Sequence, residues 1–88
     1  MYHIRWRKSV SRKLLDECAK ADSFMLTAIL DAMADAEFFL RNEPEFVGES
    51  REAETRLLIV EPLSVVYKTD HRRRVVRIIR ARVRRPKR

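Results

Sequence analysis

Ten of the last 18 residues, 71–88, are arginine or lysine, and none is acidic. Guanidinium and ammonium groups crowded in this way attract polyphosphate, because each neutralised phosphate releases a counterion. On the stretch 74–84 the bases alternate with aliphatic residues. Arg80, Arg82 and Arg84 fall on one side, and Ile79, Ala81 and Val83 on the other. Arg77 breaks the pattern, because simple alternation puts it with Ile79. Arg77, Arg80, Arg82, Arg84 and Arg85 are therefore the candidate nucleic-acid contacts. Proton-transfer groups are scarcer. His3 and His71 are the two histidines and read as solvated, one on a strand and one in a turn. Glu61, beside Pro62, could act as a base at a strand end, although carboxylates at such positions are usually just exposed. Tyr67 reads as a packing residue.

Other chemistries lack their parts. One cysteine and two distant histidines make no metal site. There is one glycine, so no glycine-rich loop can cradle nucleotide phosphates. No serine–histidine pair can be argued from these separations. Cys18 sits in a helical pattern and reads as a small core residue. A lone cysteine forms no internal disulfide and fits a reducing compartment, so a cytoplasmic location is expected. No apolar run approaches the length of a membrane span, and the first residues lack the apolar stretch of a signal peptide. No cofactor is expected.

The elements that must position these groups follow from periodicity. Residues 2–7 alternate, with Tyr2, Ile4 and Trp6 on one side and His3, Arg5 and Arg7 on the other, which predicts a half-buried strand. Ser9 or Ser11 is expected to cap a helix whose apolar face carries Val10, Leu14, Leu15, Cys18 and Ala21. Asp22-Ser23 interrupts it and caps a second helix over 24–41, with a stripe of Leu26, Ile29, Leu30, Met33 and Leu40, widened by Phe38 and Phe39. Two helices joined so tightly form a hairpin. Residues 42–54 read as a loop, in which Pro44 stops the helix and Gly48 is expected at positive φ. Strands follow over 55–61, 63–69 and 74–84, broken by Pro62 and by a turn at 70–73. The predicted fold class is α+β: an N-terminal strand, a helical hairpin, then a three-stranded antiparallel meander. The helices cover one face of a four-stranded, mainly antiparallel sheet, and the other face stays open.

The chain is 88 residues long, enough for a single domain over 1–88, with 85–88 expected as a frayed basic tail. A chain this short buries only about 60–65% of the surface its unfolded form exposes, so a partner covering apolar surface would stabilise it. Residues 1–13, 14–70 and 71–88 carry +5, −8 and +10, which together make the net charge of +7. Both ends are cationic and the middle is acidic.

The ordered set of segments resembles the RelE/ParE superfamily of toxins. Asn42-Glu43-Pro44 followed by Gly48-Glu49-Ser50-Arg51 is similar to the loop after the helical hairpin in that superfamily. Arg56-Leu57-Leu58-Ile59-Val60, Pro62-Leu63 and Val65-Val66-Tyr67-Lys68 are similar to its central strand pair. Arg74-Val75-Val76-Arg77-Ile78-Ile79-Arg80 is similar to its last strand, and Trp6 also fits. The resemblance implies the toxin of a bacterial toxin–antitoxin pair, neutralised by an antitoxin segment that wraps around it. RelE-type members cleave messenger RNA at the ribosome, and ParE-type members poison DNA gyrase.

Carried onto this chain, the resemblance makes Arg56, Arg82 and Arg84 the candidate catalytic residues. Two departures stand out. Ser64 occupies the place of a family arginine, and the chain ends Pro86-Lys87-Arg88 without the family's terminal Tyr or His. The reading placed first is a metal-independent, ribosome-dependent messenger-RNA endoribonuclease. The alternatives are a non-enzymatic gyrase inhibitor and a degenerate member that binds only antitoxin or RNA. The antitoxin is expected to present an acidic, amphipathic segment to Arg80, Arg82 and Arg84.

Overall fold

The computed structural model describes residues 1–85. The chain runs β1 (His3–Trp6), α1 (Lys8–Lys20), α2 (Ser23–Asn42), α3 (Pro44–Val47), β2 (Glu49–Ser50), a 3-10 turn (Glu52–Glu54), β3 (Arg56–Val60), β4 (Leu63–Asp70) and β5 (Val75–Val83). The five strands form one sheet in the order β1-β5-β4-β3-β2. β1 runs parallel to β5, and the other neighbours are antiparallel. The α+β arrangement with helices on one face is the one the residue pattern implies. The sheet has five strands rather than four, because two residues of the expected loop pair with Leu57 and Arg56 as β2. A two-residue strand has no period to detect.

α1 starts immediately after β1. The Arg7 amide bonds to the Ile78 carbonyl at 3.0 Å, and the Arg7 carbonyl already accepts from Val10 and Ser11. Ser9 and Ser11 therefore lie inside the helix, and no side chain caps it. Only Val10 and Leu14 of α1 are fully buried. Leu15, expected on the inner face, is 70% exposed, and Cys18 is half-buried. α2 begins as the sequence indicates, with the Asp22 carboxylate accepting from the Met25 amide at 2.8 Å.

The buried stripe of α2 is Ile29, Ala32, Ala36 and Leu40. Alanines at the contact let the helix approach the sheet closely, which leaves Leu30 half-exposed and Phe38 and Phe39 outside. One cluster joins Val10 and Leu14 to Ala32, Ala36 and Leu40 and to the inward residues of the sheet, among them Leu58, Leu63, Val65, Tyr67, Val76 and Ile78. Each such Leu or Ile side chain contributes about 1.5–3 kcal/mol by leaving water. None of the described helices is long and apolar enough to cross a membrane.

The segment after α2 is ordered by Pro44, which opens α3 at a first-turn position where its missing N–H costs nothing. Gly48 has φ −108°, so the expectation of positive φ is not met. The glycine is required by crowding instead. A Cβ there would collide with the Tyr67 hydroxyl and stand 3.0 Å from the Leu57 carbonyl. Positive φ falls at Ala53, Glu54 and Arg74.

The β4–β5 register carries a bulge. Val66 pairs with Arg80 and Tyr67 with Ile78, so Ile79 is the extra residue. Val76 and Ile78 point into the core before the bulge, and Ala81 does after it. The simple alternation expected for this strand is therefore interrupted, and Arg77 does not share a face with Ala81. The bulge turns Arg77, Arg80 and Arg82 all to the outer side.

Candidate functional site

The candidate site is the sheet face opposite the helices. Residues paired directly across neighbouring strands point to the same face, so the register defines its surface. Arg5, Arg77 and Lys68 form one transverse row, Arg80, Val66 and Leu57 a second, and Arg82, Ser64 and Ile59 a third. Arg77, Arg80 and Arg82 are exposed, and among the described residues no carboxylate lies within ion-pair distance of them. A depression of about 430 Å³ opens here. It is lined by Ser64, Val66, Arg80 and Arg82, with Lys13 reaching it from α1 and Glu61 from the β3–β4 turn.

Arg84 and Arg85 differ from the row. The Arg84 amide extends the ladder to the Pro62 carbonyl at 2.7 Å, and its guanidinium reaches Glu61 at 3.5 Å. Arg85 pairs with Glu17 of α1 at 3.0 Å, which ties the end of the sheet to the helical layer. The rest of the basic tail expected over 85–88 lies outside the described residues.

Arg56 does not join the row. Its register partner is Tyr67, a fully buried core residue, so Arg56 belongs to the helix-covered face. Its guanidinium donates to the Gly48 carbonyl, and the Tyr67 hydroxyl donates to the Pro44 carbonyl at 2.5 Å. Burial pushes the Tyr67 phenol above its ordinary pKa, and the hydrogen bond and charge of Arg56 and the backbone at Gly48 oppose that rise. Arg56 and Tyr67 together pin the segment after α2 to the sheet.

The remaining proton-transfer candidates are dispersed. His3 is on the open face, but at the far end of it, opposite Val75. His71 sits in the β4–β5 turn, 2.9 Å from the Tyr2 hydroxyl and 3.4 Å from a Glu45 carboxylate oxygen. Glu61 is the carboxylate that lines the depression. No group of three or more metal-ligating side chains occurs among the described residues.

Three further cations lie on or beside this face, outside the C-terminal run of bases: Arg5, Lys68 and Lys13. Alternation within β1 and β4 carries a signal for the first two, since each is flanked by inward-facing residues. The parallel pairing that brings Arg5 beside Arg77 has no local signature.

No protein-family model and no curated protein matches this sequence. Solved structures do match. In the RelBE2 toxin–antitoxin complex of Mycobacterium tuberculosis, one chain is 27% identical, with 94% of this chain and 98% of that one aligned at a TM-score of 0.70. A chain of the intact E. coli RelBE complex aligns over 99% of this chain and all of its own length, at 13% identity and a TM-score of 0.65. The archaeal RelE–RelB complex of Pyrococcus horikoshii aligns over 94% of both chains, at 15% identity and a TM-score of 0.61. This chain has the RelE-type toxin fold. Within that fold, its outward arginines lie on the sheet surface that its own helices leave bare.

Proposed function

We propose that this protein is the toxin of a bacterial toxin–antitoxin pair and that its open sheet face cleaves messenger RNA on the ribosome without a metal ion. The observation that supports this most strongly is the row Arg77, Arg80 and Arg82, directed outward on an uncovered face of a RelE-type fold. In-line cleavage requires the 2′-hydroxyl to lose a proton and attack the adjacent phosphate. The 5′-oxygen leaves with a proton, and negative charge accumulates on the pentavalent phosphate between. Guanidinium groups stabilise that charge with paired, planar N–H donors, and removing one such donor typically costs about 10²–10³ in rate.

Arg80 and Arg82 are the charge-stabilising residues in this reading, with Arg84 at the margin. Ser64 contributes no charge, but it stands directly across from Arg82, and Lys13 lines the same depression. Arg82 and Lys13 supply the positive charge that the family's arginine would have supplied. Glu61 is the group able to take the 2′-hydroxyl proton, held 3.5 Å from Arg84, and solvent water supplies the proton with which the 5′-oxygen leaves. Holding the messenger in line for attack is a further source of rate, up to roughly 7–11 kcal/mol. The cognate antitoxin would cover Arg80, Arg82 and Arg84 with an acidic, amphipathic segment, using Leu57 and Ile59 for its apolar side.

The test is cell-free translation with purified protein, mapping messenger 5′ ends by primer extension. New ends that require ribosomes and vanish in Arg80→Ala/Arg82→Ala are expected. A second reading, inhibition of DNA gyrase, is favoured by Ser64 in place of an arginine and by the distance of both histidines from Arg82. Intact messenger together with blocked supercoiling would move the protein to that class.

A further inference from the structure

Arg5, Arg77 and Lys68 stand side by side across three neighbouring strands. The parallel β1–β5 register sets Arg5 against Arg77, and the antiparallel β4–β5 register sets Lys68 against the same residue. All three are exposed on the face away from the helices. Neighbouring strands are about 4.8 Å apart, so the three backbone positions fall within about 10 Å. Like charges directly opposite one another destabilise a sheet. Among the described residues none of the three has a carboxylate within ion-pair distance. Asp70, in the adjoining register row, bonds to the Arg73 amide at 3.1 Å instead. The fold thus maintains a cationic row that opposes its own stability, and that row is the mark of a polyanion partner.

The surroundings distinguish the kind of polyanion. The open face has two halves. Leu57 and the half-exposed Ile59 lie on β3 and suit the apolar side of a protein segment. β1, three strands away, contributes Arg5 and His3 to the face and no large apolar side chain. An acidic protein segment needs apolar contact for much of its affinity. A phosphodiester backbone needs only cations.

We propose that Arg5, Arg77 and Lys68 form a second phosphate-holding subsite for an RNA backbone, separate from Arg80 and Arg82. The proposal rests on the RNA reading of the open face. Lys68 lies four residues along β4 from Ser64, or about 13 Å, so the row engages phosphates other than the one reacting near Arg82. Its members are positioning residues. They hold the strand while chemistry occurs further along the sheet, and the backbone held is either messenger or ribosomal RNA.

The test uses the full chain with Arg5→Gln/Lys68→Gln, two exposed strand positions, and with the charge-preserving Arg5→Lys/Lys68→Arg as control. Binding of a short fluorescent oligouridylate is followed by anisotropy across a salt series. The plot of log affinity against log salt should become shallower by about 0.7 for each cation removed, and the charge-preserving variant should keep the original slope. In the translation assay, the Gln variant should raise KM and leave kcat unchanged. Binding to ribosomes with and without messenger separates the two sources: a loss seen only with messenger assigns the row to messenger, and an equal loss without it assigns the row to ribosomal RNA.

An unchanged slope in the Gln variant overturns the subsite. An equal loss of affinity for a polyglutamate peptide overturns the choice of RNA over acidic protein. A wild-type protein that binds oligouridylate with the expected slope loss in the Gln variant, yet leaves messenger intact, sinks the endoribonuclease reading and leaves the subsite standing.

Discussion

The Tyr67 hydroxyl reaches across from the middle of the sheet to donate to the Pro44 carbonyl, 23 residues earlier in the chain, at 2.5 Å. Both partners are buried, so this bond joins the start of α3 to β4 with no water to replace it. Tyr67→Phe leaves the carbonyl without its donor, and the expected loss is about 1–3 kcal/mol of unfolding free energy. Urea denaturation measures it. A midpoint equal to that of wild type would mean that the bond contributes nothing net.

The same hydroxyl gives a pH dependence of defined sign. Burial raises the folded pKa of Tyr67 above its ordinary value near 10. Above about pH 10 the unfolded chain releases the phenol proton first, which favours unfolding. The stability contributed by the neutral phenol is therefore complete below that pH and is lost as the pH rises through the folded value. The gap in stability between wild type and Tyr67→Phe should be constant from neutral pH to about 9 and narrow above 10. A gap that stays constant up to pH 11 would refute the assignment.

Gly48 and Tyr67 should be energetically coupled. A Cβ at Gly48 meets the hydroxyl first and the Leu57 carbonyl and the Tyr67 ring at 3.0 Å next. Gly48→Ala should cost about 1–3 kcal/mol through overpacking. Removing the hydroxyl relieves the worst of the three contacts, so Gly48→Ala/Tyr67→Phe should cost less than the two single changes combined, by at least about 0.5 kcal/mol. Strict additivity in thermal melts would show that the helix end moves aside instead.

What the sequence disclosed depended on whether a residue's neighbours alternate. In β1, and in β4 apart from Val66 and Thr69, polar residues alternate with apolar ones, so the two faces are legible from the residues alone. In β3 the run Leu57-Leu58-Ile59-Val60 is apolar throughout. Alternation puts Arg56 with Leu58 and Val60, but nothing in the run indicates that this set, rather than Leu57 and Ile59, faces the core. Ile79 presents the opposite difficulty. A single inserted residue reverses the phase of β5, and Arg77 looked misplaced only because the bulge was invisible. Parallel pairing of β1 with β5 joins residues more than 70 positions apart, and no local pattern encodes it. Caps and breakers are legible where they act locally, as the Asp22 carboxylate and the Pro44 ring do, and not where a strand end dictates the start of α1.

Asp22 provides a control in the helical layer, outside the outward strand positions of Arg77, Arg80 and Arg82. Its carboxylate satisfies the Met25 amide, one of the four unpaired donors at the start of α2. Asp22→Ala should reduce stability by about 0.5–2 kcal/mol, and Asp22→Asn should recover most of that. RNA binding should not change in either variant, as oligouridylate anisotropy can verify. A binding defect in a well-folded Asp22→Ala protein would contradict the assignment of the open face.

Arg56 and Arg82 are both arginines on strands of the sheet, and the structure separates their roles. Arg56 is half-buried, bonds to the Gly48 carbonyl, and has an Nε atom with no partner among the described residues. Losing it should destabilise the protein by about 1–3 kcal/mol, the cost of stripping a carbonyl of a charged donor. Arg56→Lys should not restore stability, because a single ammonium cannot reproduce the planar fork. Arg82 is exposed opposite Ser64, so Arg82→Ala should leave the melting temperature within about a degree of wild type, as surface changes usually do. Messenger cleavage should nonetheless fall by about 10²–10³, with Arg82→Lys intermediate. Melting curves and translation-linked cleavage rates measured on the same four variants give a two-by-two comparison. Equal loss of activity in Arg56→Lys and Arg82→Lys at unchanged stability would return Arg56 to the chemistry. The expected pattern, with stability tracking Arg56 and rate tracking Arg82, locates the reaction on the open face alone.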